Sequence, residues 1–265
     1  MGEAIVITSG KGGVGKTTTT ANLGTSLALL DKKVCLVDTD IGLRNLDVVM
    51  GLENRIIYDI VDVLEKRCKV SQALIKDKRF DCLSLLPAAQ TSDKSAVTPE
   101  GMKEIIEVLK PDYDYILIDC PAGIEQGYRN AVAGADRAIV VTTPEKSSVR
   151  DADRIIGLLE QEEIQPPNLV INRIRNHMMK NGDMLSVDEI VQVLSIDLLG
   201  IIADDDDVIR ASNHGEPVAF QPNARASIAY RNISRRILGE SVPLLSLEEK
   251  PTLIDKVKKA FGIKK

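Results

Sequence analysis

Gly10-Lys11-Gly12-Gly13-Val14-Gly15-Lys16-Thr17-Thr18 decides the fold of this chain. The run sits between an apolar stretch, Ala4-Ile5-Val6-Ile7-Thr8-Ser9, and Thr19 to Leu30, whose Ala21, Leu23, Ala28 and Leu29 suit a helix packed on a sheet. Strand, glycine turn and helix therefore follow one another. In that setting the pattern Gly-x-x-x-x-Gly-Lys-Thr wraps backbone N–H groups around a polyphosphate, and the helix N-terminus adds partial positive charge. Lys16 then reaches the β- and γ-phosphates, and the Thr17 hydroxyl is placed for Mg2+.

The same glycines, Gly10-x-Gly12-x-x-Gly15, also spell a dinucleotide fingerprint, with Asp38 at the end of the second apolar run where a ribose-binding acid would lie. Glycines alone do not separate the two ligands. Lys16-Thr17 does, because a dinucleotide site has no need of it. A second acidic strand end, Asp119 after Tyr115-Ile116-Leu117-Ile118, supplies the carboxylate that a Mg2+ shell requires. Residues 10–18 are read as the phosphate-binding set of a nucleoside triphosphate site.

The chain has 265 residues, of which 44% are hydrophobic, enough to bury the core of one large domain. Apolar runs recur at 4–9, 33–38, 82–86, 114–119, 137–142, 168–174 and 198–202, with helical segments between most of them. Such alternation predicts an α/β fold of the P-loop NTPase kind, a mostly parallel twisted sheet with helices on both faces. Gly10, Asp38, Asp119, Pro144 and Asn172 then share the carboxyl edge of the sheet, where ligands bind in this architecture. Ala224 to Leu238 reads as the last packing helix, stopped by Gly239.

Composition excludes other classes. A net charge of −5 argues against a basic nucleic-acid face, and no Trp with three Phe leaves little for base stacking, so no specific nucleic-acid partner is expected. No 18-residue apolar run exists. The N-terminus enters the first strand without an apolar leader, which points to the cytoplasm. Cys35, Cys68, Cys82 and Cys120 form no Cys-x-x-Cys pair and are expected as buried, reduced thiols. His177 and His214 stand alone, and Asp204 to Asp207 reads as a solvated face or helix start, not a metal site.

The end of the chain differs in character. Residues 1–239 form the catalytic domain in this reading, and 240–252, with Pro243 and Pro251, form a linker. Residues 253–265 then make an amphipathic helix. At about 100° per residue, Leu253, Ile254, Val257, Ala260 and Phe261 fall within an arc of about 120°, fringed by Lys256, Lys258 and Lys259. Five lysines against Asp255 suit a surface of anionic lipid headgroups. Two copies on one dimer would bind such a surface far more firmly than one.

The glycine loop with its extra Lys11, together with Asp38-Thr39-Asp40 and Asp119-Cys120-Pro121-Ala122-Gly123, resembles the deviant Walker A ATPases of the ParA/MinD family. The resemblance covers nearly the whole chain. It implies a nucleotide-sandwich homodimer in which Lys11 reaches the phosphates of the partner copy. It also implies a switch I where Asp40 orients the attacking water and Asp38 supports the Mg2+ shell or the water, and a switch II where Gly123 donates its N–H near the γ-phosphate. Asn172-Arg173 matches the position at which relatives read adenine, while Ala203 departs from the proline that usually opens the purine-side loop.

Asp40-Ile41-Gly42-Leu43-Arg44-Asn45-Leu46-Asp47 and Pro121-Ala122-Gly123-Ile124-Glu125 are similar to the septum-site branch of that family. The branch implies Mg2+-dependent ATP hydrolysis to ADP, attachment to the inner face of the membrane, and a MinC-type septum inhibitor bound around Asn45 and Arg150 to Arg154. It further implies a MinE-type activator or a polar scaffold. Flagellar-number regulators share the switches and the terminal helix, partition ATPases would need a basic DNA-facing surface, and a nucleotide-stabilised membrane scaffold would need no turnover.

Overall fold

The structure, a computed structural model, describes residues 1–164 and 166–247. One sheet of eight strands organises them: β1 (Glu3–Thr8), β2 (Val34–Asp38), β3 (Ile75–Lys76), β4 (Leu83–Leu86), β5 (Tyr115–Asp119), β6 (Arg137–Thr142), β7 (Asn168–Ile174) and β8 (Leu198–Ala203). Their order is β3-β4-β2-β5-β1-β6-β7-β8. Every pairing is parallel except β3 with β4 at the edge. The seven apolar runs each become a strand; β3 has no counterpart among them, because two residues carry no readable period.

Apolar residues on both sides of the strands explain the layers. In β1, Ala4 and Val6 face one core while Ile5 and Ile7 face the other. The first face is covered by the helices Pro99–Leu109, Gln126–Val132, Lys146–Gln161 and Val187–Leu194. The second is covered by Lys16–Ala28 and Arg225–Ile237. Burying both faces is what a parallel sheet requires. The order places β1 and β5 centrally and aligns Asp38 with Asp119 in the β2–β5 register.

One boundary differs from the sequence expectation. The helix after the glycine loop begins at Lys16, not Thr19, because Gly15 at φ 100° turns the chain directly into the helix. The stretch from Glu240 carries no helix or strand as far as it is described, yet it is docked and not loose. Arg236 donates to the carbonyls of Leu199 at 2.9 Å, Val242 at 2.9 Å and Pro243 at 2.7 Å, and Arg225 donates to Ser246 O at 3.1 Å. The strap runs back along the last helix, and Leu245 packs on the core.

The tail residues Leu253, Ile254, Lys256, Val257, Lys258, Lys259 and Phe261 lie outside the described residues. Among the described residues no helix is long and apolar enough to cross a membrane. All four cysteines are free, but only Cys35 and Cys120 are buried; Cys68 and Cys82 are half-exposed, at element ends where no neighbour covers them fully.

Arg236→Met, which keeps the stem and removes three carbonyl partners, is expected to cost about 1–3 kcal/mol in urea unfolding. It should also raise hydrogen exchange across 241–247; unchanged exchange there would show that the strap is held by packing alone.

Candidate functional site: a phosphate cradle over two buried carboxylates

The loop after β1 owes its shape to glycine. Gly13 (φ 77°) and Gly15 (φ 100°) adopt left-handed conformations that side chains resist, and a Cβ on Gly15 would collide with the Asn172 amide. A Cβ on Gly10 would run into the Asp151 carbonyl, so the loop lies directly on the helix Lys146–Gln161. The loop leads into the start of Lys16–Ala28, where the helix dipole favours an anion.

Lys16 is 7% exposed, and its ammonium donates to the Ser9 hydroxyl at 2.9 Å. Burial pushes its pKa down, and the nearby Cys120, Asp119 and Asp40 push it back up. Ser9 in turn donates to Lys11 O at 2.8 Å, which fixes the loop above it. A buried ammonium held by a neutral hydroxyl is suited to a polyphosphate.

Beneath it lie two acids. Asp38 and Asp119 face each other across β2 and β5 and are both buried. Burial raises both carboxyl pKa values, and their mutual repulsion raises that of Asp38 further. Hydrogen bonds from the Thr17 and Thr20 hydroxyls and the charge of Lys16 oppose the rise at Asp119; Thr20 Oγ1 is 3.2 Å from Asp119 Oδ1. A divalent cation beside Thr17 and Asp119 would supply the charge the pair lacks, so the donor set fits Mg2+.

Asp38 is occupied differently. Its two oxygens accept from Asp40 N at 2.9 Å and Leu46 N at 3.2 Å, so its visible work is to hold the start of switch I. Thr39 binds the Asp119 carbonyl through its hydroxyl at 2.6 Å, tying the two switch segments together. Asp40 is half-buried at the rim, and Gly123 (φ 95°) has open space around its Cα.

A cleft of about 240 Å³ is lined by Gly15, Thr18, Asn172, Arg173, Ala203 and Tyr230. The Asn172 amide donates to Val14 O at 2.9 Å and its oxygen accepts from Arg173 N at 2.9 Å, so it braces the loop as well as lining the cleft. Asp204 pairs with Arg175 at 2.6 Å, and Asp205 caps the helix Asp206–Asn213. The acid run is a helix start, as expected from sequence.

Lys11 stands apart from this cradle. Its side chain is 40% exposed and its ammonium meets Glu145 at 3.1 Å and Ser147 at 3.2 Å. Asn45, Arg150 and Arg154 are exposed, the last two on the helix that backs the loop. Ser9, Thr20 and Thr39 are site residues that sequence reasoning misses, since Ser9 and Thr39 are single hydroxyl residues after strand ends and Thr20 is one of several threonines in the helix Lys16–Ala28.

Residues 5–218 match the model of the CobQ/CobB/MinD/ParA nucleotide binding domain. The chain belongs to the MinD/ParA family. It is 75% identical, over 100% of both chains, to the septum site-determining protein MinD of Bacillus subtilis. Its structure is similar to a chain of the MinC:MinD cell division protein complex from Aquifex aeolicus, with TM-score 0.86, 51% identity, and coverage of 92% of this chain and 99% of that one. It is also similar to the MinD of Pyrococcus horikoshii complexed with Mg-ADP, with TM-score 0.81, 30% identity, and coverage of 89% and 96%. The MinD/ParA assignment agrees with the predicted fold and with a nucleotide-binding site.

The carboxyls with raised pKa bind protons more tightly folded than unfolded, so their ionisation weakens the nucleotide-free fold as pH rises from the ordinary aspartate range, about 4, toward neutrality. Asp119→Asn is expected to melt above the parent without Mg2+, by an advantage of about 1–4 kcal/mol that grows with pH. It should lose the extra melting-temperature rise that Mg2+ adds to nucleotide. A variant less stable than its parent at neutral pH would refute the charge-strain account.

Proposed function

We propose that this chain is a Mg2+-dependent ATPase that dimerises on ATP, binds the inner membrane face through residues 253–265, and recruits a MinC-type inhibitor to control septum placement. The observation that carries the reading is the buried Lys16 ammonium beside the Asp38–Asp119 pair, under a loop whose glycines leave room for phosphate. Full-length similarity to a septum site-determining MinD supports the cellular role, and similarity to a chain of a MinC:MinD complex supports the partner.

In this reading the N–H groups of residues 12–17 and the Lys16 ammonium bind the phosphates, and Thr17 and Asp119 hold Mg2+ directly or through water. Bound Mg2+ neutralises charge on the phosphate oxygens. Asp40, placed by Asp38, orients the attacking water and accepts its proton. Asn172 and Arg173 border the adenine, and Gly123 N–H meets the terminal phosphate.

Lys11 belongs to the partner's site. An exposed ion pair such as Lys11–Glu145 is worth about 0–1 kcal/mol, so releasing it to a triphosphate across a dimer interface costs little. Dimerisation would place two lysine-fringed helices on one particle, and each basic residue near an anionic surface contributes about 1 kcal/mol. ATP binding thereby gains control of membrane attachment, and hydrolysis to ADP releases it. The protein would alternate between cytoplasm and membrane face, with a MinE-type activator or a polar scaffold setting where.

Replacing Asp40 by Ala should leave ATP binding within about threefold and lower kcat at least about a hundredfold. Equal kcat in single-turnover assays would remove Asp40 from the chemistry. In co-sedimentation with vesicles containing anionic lipid, pelleting should require ATP in place of ADP and should fail for Lys11→Ala and for a chain ending at Thr252. Added MinC should pellet only with the ATP-bound parent; pelleting of the shortened chain would move the membrane contact elsewhere.

A further inference from the structure

The helix Asp206–Asn213 touches two places that the chemistry uses. At its start, Asp206, Val208 and Ile209 line the base cleft. Its far end lies about 12 Å away at about 1.5 Å per residue. There the chain turns sharply, with Gly215 N bonded to Ser212 O and Glu216 N to Ala211 O, both at 3.0 Å. Gly215 (φ 65°) then lies against Gly51 (φ 66°), the residue that ends the switch I helix Leu46–Met50. A Cβ on Gly215 would stand 2.9 Å from Gly51 Cα, and one on Gly51 would run into the Gly215 carbonyl. No side chain cushions this contact.

The residues that follow reinforce it. Phe220 stacks on Phe80 with ring centroids 5.6 Å apart, and the Arg79 guanidinium lies 4.4 Å from the Phe220 ring centre. The same guanidinium pairs with Asp77 at 2.6 Å and donates to Met50 O at 2.9 Å. Ala219 N donates to Asn22 Oδ1 at 2.9 Å, while the Asn22 amide donates to Thr18 O at 2.8 Å inside the phosphate-loop helix. Residues 215–220 thus join the base cleft, the phosphate loop and the far end of the switch I helix. The near end of that helix, Leu46 N, shares the Asp38 carboxylate with Asp40 N.

We propose that Gly51, Gly215 and Arg79 are positioning residues that couple a nucleobase in the cleft to the placement of Asp40. The proposal rests on the ATPase reading above. A bare tripolyphosphate fills only the loop, whereas a base-bearing triphosphate also loads the helix Asp206–Asn213 and sets switch I through a backbone contact that transmits displacement. Stiff, directly packed backbones are the kind of contiguous element through which coupling travels.

The test compares the full chain with Gly215→Ala, with Arg79→Lys, and with Gly182→Ala, whose left-handed glycine (φ 80°) faces open space and reports backbone strain alone. Hydrogen exchange across 42–50 is read with no ligand, with Mg2+ and tripolyphosphate, and with Mg2+ and ATP; kcat and KM for ATP are read in parallel. In the parent, ATP should protect this stretch beyond tripolyphosphate. In Gly215→Ala and Arg79→Lys that difference should shrink and kcat should fall about tenfold, with KM within about threefold, while Gly182→Ala keeps both. Arg79→Lys loses the flat guanidinium without adding backbone strain, so it decides the matter if Gly215→Ala does not fold.

Equal protection by tripolyphosphate and ATP in the parent, or an undiminished ATP-specific difference in the folded variants, would overturn the coupling. A parent that binds ATP with this protection but does not hydrolyse it would refute the ATPase reading and leave the coupling standing on exchange alone. A parent that binds no ATP would overturn both.

Discussion

Three charged groups buried under one glycine loop govern the rest of this molecule. Lys16, Asp38 and Asp119 are each almost fully inaccessible, and fully ionised they would set one positive charge against two negative ones. The register of β2 on β5 brings the two acids side by side, and the central strand β1 feeds the loop that holds the lysine above them. Burying the set without its ligands is costly, which is why the acids hold their protons more tightly and the lysine less. Stability is lost at the site that binding can restore.

Restoration needs both signs of charge. Polyphosphate would answer Lys16 and the loop N–H groups, and Mg2+ would answer the carboxylates, so neither alone would relieve the whole set. The hydrogen bonds from Thr39 to the Asp119 carbonyl and from Asp40 and Leu46 to Asp38 tie switch I to these same acids. Changes in their charge are therefore felt by the segment that carries Asp40.

The phosphate side is legible in the sequence because its residues are contiguous: Gly10 through Thr18 must appear in order for the loop to exist, and Asp119 must end an apolar strand. Seven strands are legible for the same reason, each being an uninterrupted apolar run. What escapes is long-range. Thr20 on Asp119 and the Gly51–Gly215 approach depend on pairs 99 and 164 residues apart, and each member is an ordinary residue in its own stretch. The contacts of the stretch from Glu240 escape for a related reason. Pro243 correctly forbids helix, but no local pattern announces that Arg236 will collect the carbonyls around it.

Lys11 and the strap pose the same physical question at opposite ends of the chain. Lys11 is held by one exposed carboxylate and one hydroxyl, contacts cheap enough to exchange for a triphosphate. The strap is held by charge-assisted bonds from Arg225 and Arg236 to backbone carbonyls and by a half-buried leucine, which makes it part of the body. A loosely held lysine suits the exchange of partners proposed for Lys11. A firmly held strap does the opposite. It brings residue 246 back to Arg225 at the start of the last helix, beside Asp205, whose carboxylate accepts from Ala226 N at 2.9 Å. The described strap is thus held at two arginines, whereas Lys11 is held by one exposed ion pair and one hydroxyl.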